Sequence, residues 1–176
     1  MVLDGTLQPI DRITADPPFP AQGRADHRAS LRNVTGFSAQ EIDFLQKNRS
    51  AAMITVDAAG VAKPARVGVV LVDGHLWSSG TQDRVRTKRL RRDPRCTLFV
   101  FADAFQWLAI ESTVTILDGP DAPDLNVQLF RAMQNRPTGP LSWFGGEMEE
   151  DAFRAHLARE GRLIYQFEVT RTYGLA

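Results

Sequence analysis

Residues 81–101 read TQDRVRTKRLRRDPRCTLFVF, and the two halves of this stretch have opposite characters. Between Arg84 and Arg95, seven basic residues (Arg84, Arg86, Lys88, Arg89, Arg91, Arg92 and Arg95) stand against one acid, Asp93, and an apolar run from Cys96 to Phe101 follows. Asp83 is placed to cap a short helix, and Pro94 forces the residue before it out of helical geometry, so the helix ends at Asp93. Helical spacing sets Arg84, Lys88, Arg91 and Arg95 near one face, turns Val85 and Leu90 toward a sheet, and points Arg86 and Arg89 elsewhere. The apolar run reads as a strand. A basic helix therefore joins two strands.

Working outward, Asp73-Gly74 is a hairpin signal between Val61–Val72 and His75–Ser79, and Asp57-Ala58-Ala59-Gly60 turns the chain after Ala51–Val56. Trp107–Leu117 alternates in polarity and Leu163–Thr172 closes the chain as a strand. Ser38 and Glu41 have capping-box spacing, with Phe37 set to staple onto Ile42, so a helix runs to about Asn48. Ala122–Gln134 and Glu149–Glu160 carry helical stripes, with a loop at Pro137, Gly139, Pro140, Gly145 and Gly146 between them. Six strands, mostly linked as hairpins, with helices between some of them, predict an α+β domain on an antiparallel β-barrel. Strand and helix do not alternate, which disfavours a doubly wound parallel sheet. Residues 1–33, with Pro9, Pro17, Pro18 and Pro20, read as an extended arm, and residues 34–176 as the folded domain.

With 176 residues, 43% of them hydrophobic and 24% charged, the chain is the size of one globular domain. Its formal net charge is zero, so its charge as a whole predicts no partner. The single cysteine, Cys96, excludes an intramolecular disulfide and a cysteine-rich zinc site and is expected in the core. No apolar stretch reaches the roughly 18 to 20 residues that cross a bilayer. The first 30 residues lack the apolar core of a signal peptide, which predicts a cytoplasmic protein without a membrane partner. His27, His75 and His156 lack metal-ligand spacing, so no metal is expected. No nucleophile elbow, Walker A loop or dinucleotide fingerprint occurs. Trp143-Phe144-Gly145-Gly146 reads either as a lid with glycine hinges or as an aromatic plug.

The basic cluster has a plain reading, in which arginines late in the helix complement its negative C-terminal end. Arg84 and Arg86 do not fit it, because they sit in the first turn, where cations oppose the dipole and an anion is favoured. Ser78, Ser79, Thr81 and Thr87 add hydroxyl donors nearby, and guanidinium forks match phosphate oxygens. More charge is present than one phosphate uses. Nucleic acid is disfavoured as the partner, because the rest of the chain is acidic in balance and no aromatic platform interleaves with the cations.

The run Thr81–Arg95 with the strand Cys96–Phe101 resembles the helix and strand of the pyridoxamine-phosphate-oxidase-like split β-barrel superfamily. Trp107–Val114 and Arg162–Gly174 are similar to the central and last strands of its actinobacterial branch, which uses the deazaflavin coenzyme F(420). The resemblance implies a six-stranded antiparallel split barrel with peripheral helices, acting as a homodimer with cofactor sites at the subunit interface. It implies that Arg84, Arg86, Thr87 and Arg89 hold the cofactor's phosphate or acidic tail, with Lys63, Ser79 and Thr81 nearby and Trp107 against the ring system. Arg89 stands where the branch often has Asn, and Lys63 and Arg66 stand where uncharged polar residues are usual. The Arg-Leu-x-Pro ending of true pyridoxamine phosphate oxidases is absent, which argues against vitamin B6 oxidation. The expected activity is hydride transfer from reduced F(420) to an electron-poor double bond of a small organic substrate, with Arg66 or water assisting the proton. FMN is the alternative cofactor, and a carrier of flavin, haem or deazaflavin without turnover is the alternative role. The surplus charge at Lys63, Arg66, Lys88 and Arg89 suits the polyanionic tail of F(420) better than FMN.

Overall fold

The computed structural model describes residues 36–102 and 105–176, so the expected arm lies outside the described residues. Helix α1 (Ala39–Lys47) begins at the expected capping box: Ser38 Oγ accepts from the Glu41 amide at 3.3 Å, and the Glu41 carboxylate accepts from the Ser38 amide at 2.6 Å. Phe44 and Leu45 are buried and Ile42 is partly so, which seats the helix on the core.

The strands are β1 (Ser50–Val56), β2 (Ala62–Gly68), β3 (Val70–Val72), β4 (His75–Thr81), β5 (Arg95–Phe101), β6 (Trp107–Leu117), β7 (Leu141–Trp143), β8 (Gly146–Met148) and β9 (Arg162–Gly174). Seven of them form one antiparallel sheet in the order β2-β1-β5-β6-β9-β4-β3. The sheet curls into a half-barrel, and β2 approaches β4 although the two are not hydrogen-bonded neighbours. Three more helices complete the fold: α2 (Val85–Arg92), α3 (Ala122–Gln134) and α4 (Glu150–Arg159).

The strand count corrects the expectation of six. Val61–Val72 is not one strand, because β2 pairs with β1 whereas β3 pairs with β4 at the opposite edge of the sheet. Between them the Val69 amide bonds to the Arg49 carbonyl at 2.9 Å. Met133 also crosses over Gly68, where a larger residue would collide with it. The glycine-rich segment expected to be a loop folds as the β7–β8 hairpin. Its turn carries Phe144 at φ 43° and Gly145 at φ 86°, the left-handed pair that suits a tight hairpin.

Alternation decides which side of each strand is buried. Ala51, Met53 and Thr55 on β1, Cys96, Leu98 and Val100 on β5, and Leu163, Tyr165 and Phe167 on β9 face the barrel interior. Each large apolar side chain buried there contributes roughly 1.5–3 kcal/mol. On the other side of β4 and β9, Trp77 and Ile164 pack against Leu129 of α3, and Phe153 and Leu157 of α4 extend that layer through Val127 and Leu141.

Candidate functional site

Helix α2 is fixed to the barrel by a buried residue in each of its two turns. Thr87 is fully buried; its hydroxyl donates to the Thr81 carbonyl at 2.7 Å and lies 2.5 Å from the Tyr165 hydroxyl. Leu90, one turn later, sits in the core. Val85, expected to face the sheet, is 61% exposed, and Thr87 takes that role. Asp83 is not the cap. Its carboxylate accepts instead from the Thr81 hydroxyl at 2.5 Å, which lowers its pKa, with the charges of Arg84 and Lys88 adding to the effect. Arg84 occupies the N-cap position without a side-chain cap, and no acid stands in the first turn. The first-turn amides and the positive end of the helix are therefore left for an outside acceptor.

The seven cations divide into two sets. Arg91 donates to Gln82 at 2.6 Å and to Asp118 at 2.8 Å, and Arg92 donates to the Val56 carbonyl at 2.9 Å. Arg95 grips Asp93 at 2.7 Å, which holds that carboxyl at about 2. By contrast, Arg84, Arg86, Lys88 and Arg89 make no side-chain hydrogen bond or ion pair among the described residues. Arg86 is half-buried, and its Nε is buried without an acceptor. An unsatisfied buried donor is costly, so its retention calls for a partner from outside the chain.

The structure places the remaining sequence-predicted residues unevenly. Lys63 lies on the row of β2 opposite Thr55 and pairs with Asp57 at 3.3 Å. Arg66, three residues on, pairs with Ala52 on the opposite face of the sheet and donates through Nε to Ser50 Oγ at 3.1 Å. Ser79 donates to Asn126 of α3 at 2.5 Å and receives Arg162 at 3.4 Å, so its hydroxyl serves the α3 side of β4. Trp107 is half-buried on the outer face of the sheet, stacked on Phe99 at 5.4 Å and edge-on to Tyr173 at 6.0 Å. Phe101 stands opposite it in register.

Tyr165, Phe99, Phe101 and Tyr173 escaped the sequence reading as site residues. For the two phenylalanines the signal was present, since alternation from buried Cys96, Leu98 and Val100 turns Phe99 and Phe101 outward. Trp143 is partly buried against the α3 and α4 layer, edge-on to Phe130 and Phe153 with Arg162 over its ring at 4.8 Å, whereas Phe144 is 90% exposed. Cys96 is core, and burial pushes its thiol up to about 12. No cluster of candidate metal ligands occurs among the described residues, and none of their helices is long and apolar enough to cross a membrane.

No family model and no curated protein matches this chain. Solved structures do match in fold. A conserved hypothetical protein, Rv2991 from Mycobacterium tuberculosis, superposes with a TM-score of 0.62 at 18% identity, over 79% of this chain and 84% of that one. An F420 reductase gives 0.56 at 16% identity, over 74% of this chain and 94% of the other. A Listeria innocua protein assigned as a candidate pyridoxamine 5'-phosphate oxidase gives 0.55 at 13% identity, over 77% and 95%. At these identities the likeness is one of fold, a curled antiparallel half-barrel with helices on it, consistent with a split barrel.

Proposed function

We propose that the protein is a cytoplasmic, homodimeric split-barrel oxidoreductase that uses reduced coenzyme F(420). One observation carries this reading: of the basic residues on and beside α2, those bonded to their own chain lie late in the helix or beyond it, and those without a partner begin at its N-cap. The donors fit an anionic flavin-type coenzyme. Arg86 offers a buried Nε without an acceptor, and the uncapped first turn adds amides and a positive dipole. Bound there, the coenzyme supplies hydride chemistry toward an electron-poor double bond of a small organic substrate.

The chain's own contribution is placement and exclusion of water. Arg84, Arg86, Lys88 and Arg89 hold phosphate and tail carboxylates. Thr87, tied to Tyr165, and Thr81, tied to Asp83, fix the helix that carries those cations. Lys63 extends the positive field, and Trp107 offers a flat wall to the ring system. The outer sheet face bearing Ile54, Phe99, Trp107 and Tyr173 is the surface for a second copy, which completes the pocket and keeps water out. Residues 34–176 form this domain, with residues 1–33 as an arm.

Titrating the purified protein with F(420) and, separately, with FMN tests the reading. F(420) is expected to bind more tightly at low salt, with an advantage that shrinks as the Debye length falls to about 10 Å at 0.1 M. Yellow protein that holds FMN, with no F(420) binding at any salt, would overturn the cofactor assignment. A monomer in sedimentation at micromolar concentration would overturn the dimer.

A further inference from the structure

A trough runs along the outer face of β1, and the sequence explains its shape. The first two outward positions of β1 are small, Ser50 and Ala52, before Ile54 closes that end, whereas the strands on either side carry Arg66 and Phe99. Ala52 stands between Arg66 of β2 and Phe99 of β5 in one register row, and Phe101 lies one row further on, beside Ser50. Strands two places apart are roughly 10 Å apart between backbones, enough for one flat ring system between the walls. The result is a cleft of about 490 Å³ lined by Ala52, Pro64, Ala65 and Phe101, with Ser50 and Arg66 as its polar groups.

Two features give this cleft a chemistry. Arg66 spends only Nε on Ser50, and its two terminal nitrogens have no acceptor among the described residues, so the guanidinium is oriented with its outer fork unused. Planar two-nitrogen forks match carboxylates. The aromatic wall is also continuous with the proposed ring platform, because Phe101 pairs with Trp107 and both rings contact Phe99. Arg66 lies on the opposite sheet face from Lys63, the other basic residue of β2.

We infer that this cleft is the acceptor-substrate subsite, and that it takes a flat, conjugated, apolar molecule carrying a carboxylate, which Arg66 grips while Phe101 packs on the apolar body. Calling the ligand a substrate rests on the oxidoreductase reading above; the binding itself does not. Arg66 is then a specificity residue for the acceptor and no part of the coenzyme's tail site.

The test uses the full-length protein and a fluorescent probe pair, 3-(2-naphthyl)acrylate and its neutral primary amide, titrated without added coenzyme. The acid is expected to bind about tenfold more tightly than the amide, the value of one charge-assisted contact. Arg66→Gln should remove that discrimination by weakening the acid alone, Arg66→Lys should restore part of it, and Phe101→Ala should weaken both probes. F(420) affinity is measured in the same Arg66→Gln protein and should be retained. Equal binding of acid and amide to the wild type, or full discrimination in Arg66→Gln, would overturn the inference and leave Arg66 as a solvated edge-strand charge. Loss of F(420) affinity in Arg66→Gln would return this residue to the coenzyme site. Acid-selective probe binding by a protein that binds no F(420) would overturn the coenzyme reading and leave the cleft standing.

Discussion

The hydroxyls of Tyr165 and Thr87 meet at 2.5 Å inside the barrel, joining the last strand to the basic helix. Neither group reaches solvent, and Thr87 also donates to Thr81 at the end of β4. The pair is thus a mechanical link between the curled sheet and the cations of α2. Tyr165→Phe keeps the ring and removes one buried hydrogen bond, so a stability loss of about 1 kcal/mol is expected in urea denaturation. Weaker coenzyme binding should accompany it, because α2 is less firmly held. Unchanged stability and affinity would show that the link positions nothing.

Two glycines in the barrel should respond very differently to alanine. A Cβ on Gly80 would fall within the Tyr165 ring, which is locked in the core. Gly80→Ala should therefore destabilise by at least about 1–3 kcal/mol, the range for overpacking. At Gly68 the obstacle is the terminal methyl of Met133, the far end of a flexible side chain, so Gly68→Ala should cost much less. Melting temperatures of the two variants check the contrast.

The reactivity of Cys96 follows from its burial. With its thiol raised to about 12, almost no thiolate exists at about pH 8, and the strand also blocks access. Ellman's reagent should leave the folded protein unmodified and react with one thiol per chain once it is unfolded. Rapid labelling of the native state would place Cys96 outside the core.

Part of the acid sensitivity should arise between α3 and α4. The Arg131 guanidinium, and then that of Arg154, hold Glu150 below the usual carboxylate range. Its folded pKa is lower than its unfolded one, so this stabilisation is complete above the unfolded value and is lost as the pH falls through the folded value. Melting temperature should drop as the pH is taken below about 4, and the drop should be smaller in Glu150→Gln. An identical acid limb in that variant would show that the pair contributes nothing.

The sequence made some of this legible for physical reasons. Local signals were faithful: the capping box at Ser38 and Glu41, the Asp73-Gly74 turn with both residues at positive φ, and the bounds of α3 all depend on neighbours in the chain. What escaped depends on partners distant in sequence. Nothing in the stretch Val61–Val72 says that its ends belong to opposite edges of a curled sheet. Asp83 looks like a cap until the Thr81 hydroxyl takes its carboxylate, and Val85 looks like core until Thr87 finds Tyr165. The basic cluster was visible as composition. Its division into bonded and unpaired cations needed Gln82, Asp118, Val56 and Asp93 in place around it.

The unpaired cations of α2 carry the coenzyme assignment. The most direct measurement is the F(420) dissociation constant, read from coenzyme fluorescence at low ionic strength, for the wild type and for the Arg84→Ala/Arg86→Ala double variant, with circular dichroism to establish that both are folded. Two charge-assisted contacts worth at least about 1.5 kcal/mol each predict a loss of affinity greater than tenfold in the folded double variant. Equal affinity in wild type and double variant would remove the basic helix from the coenzyme site and contradict the account.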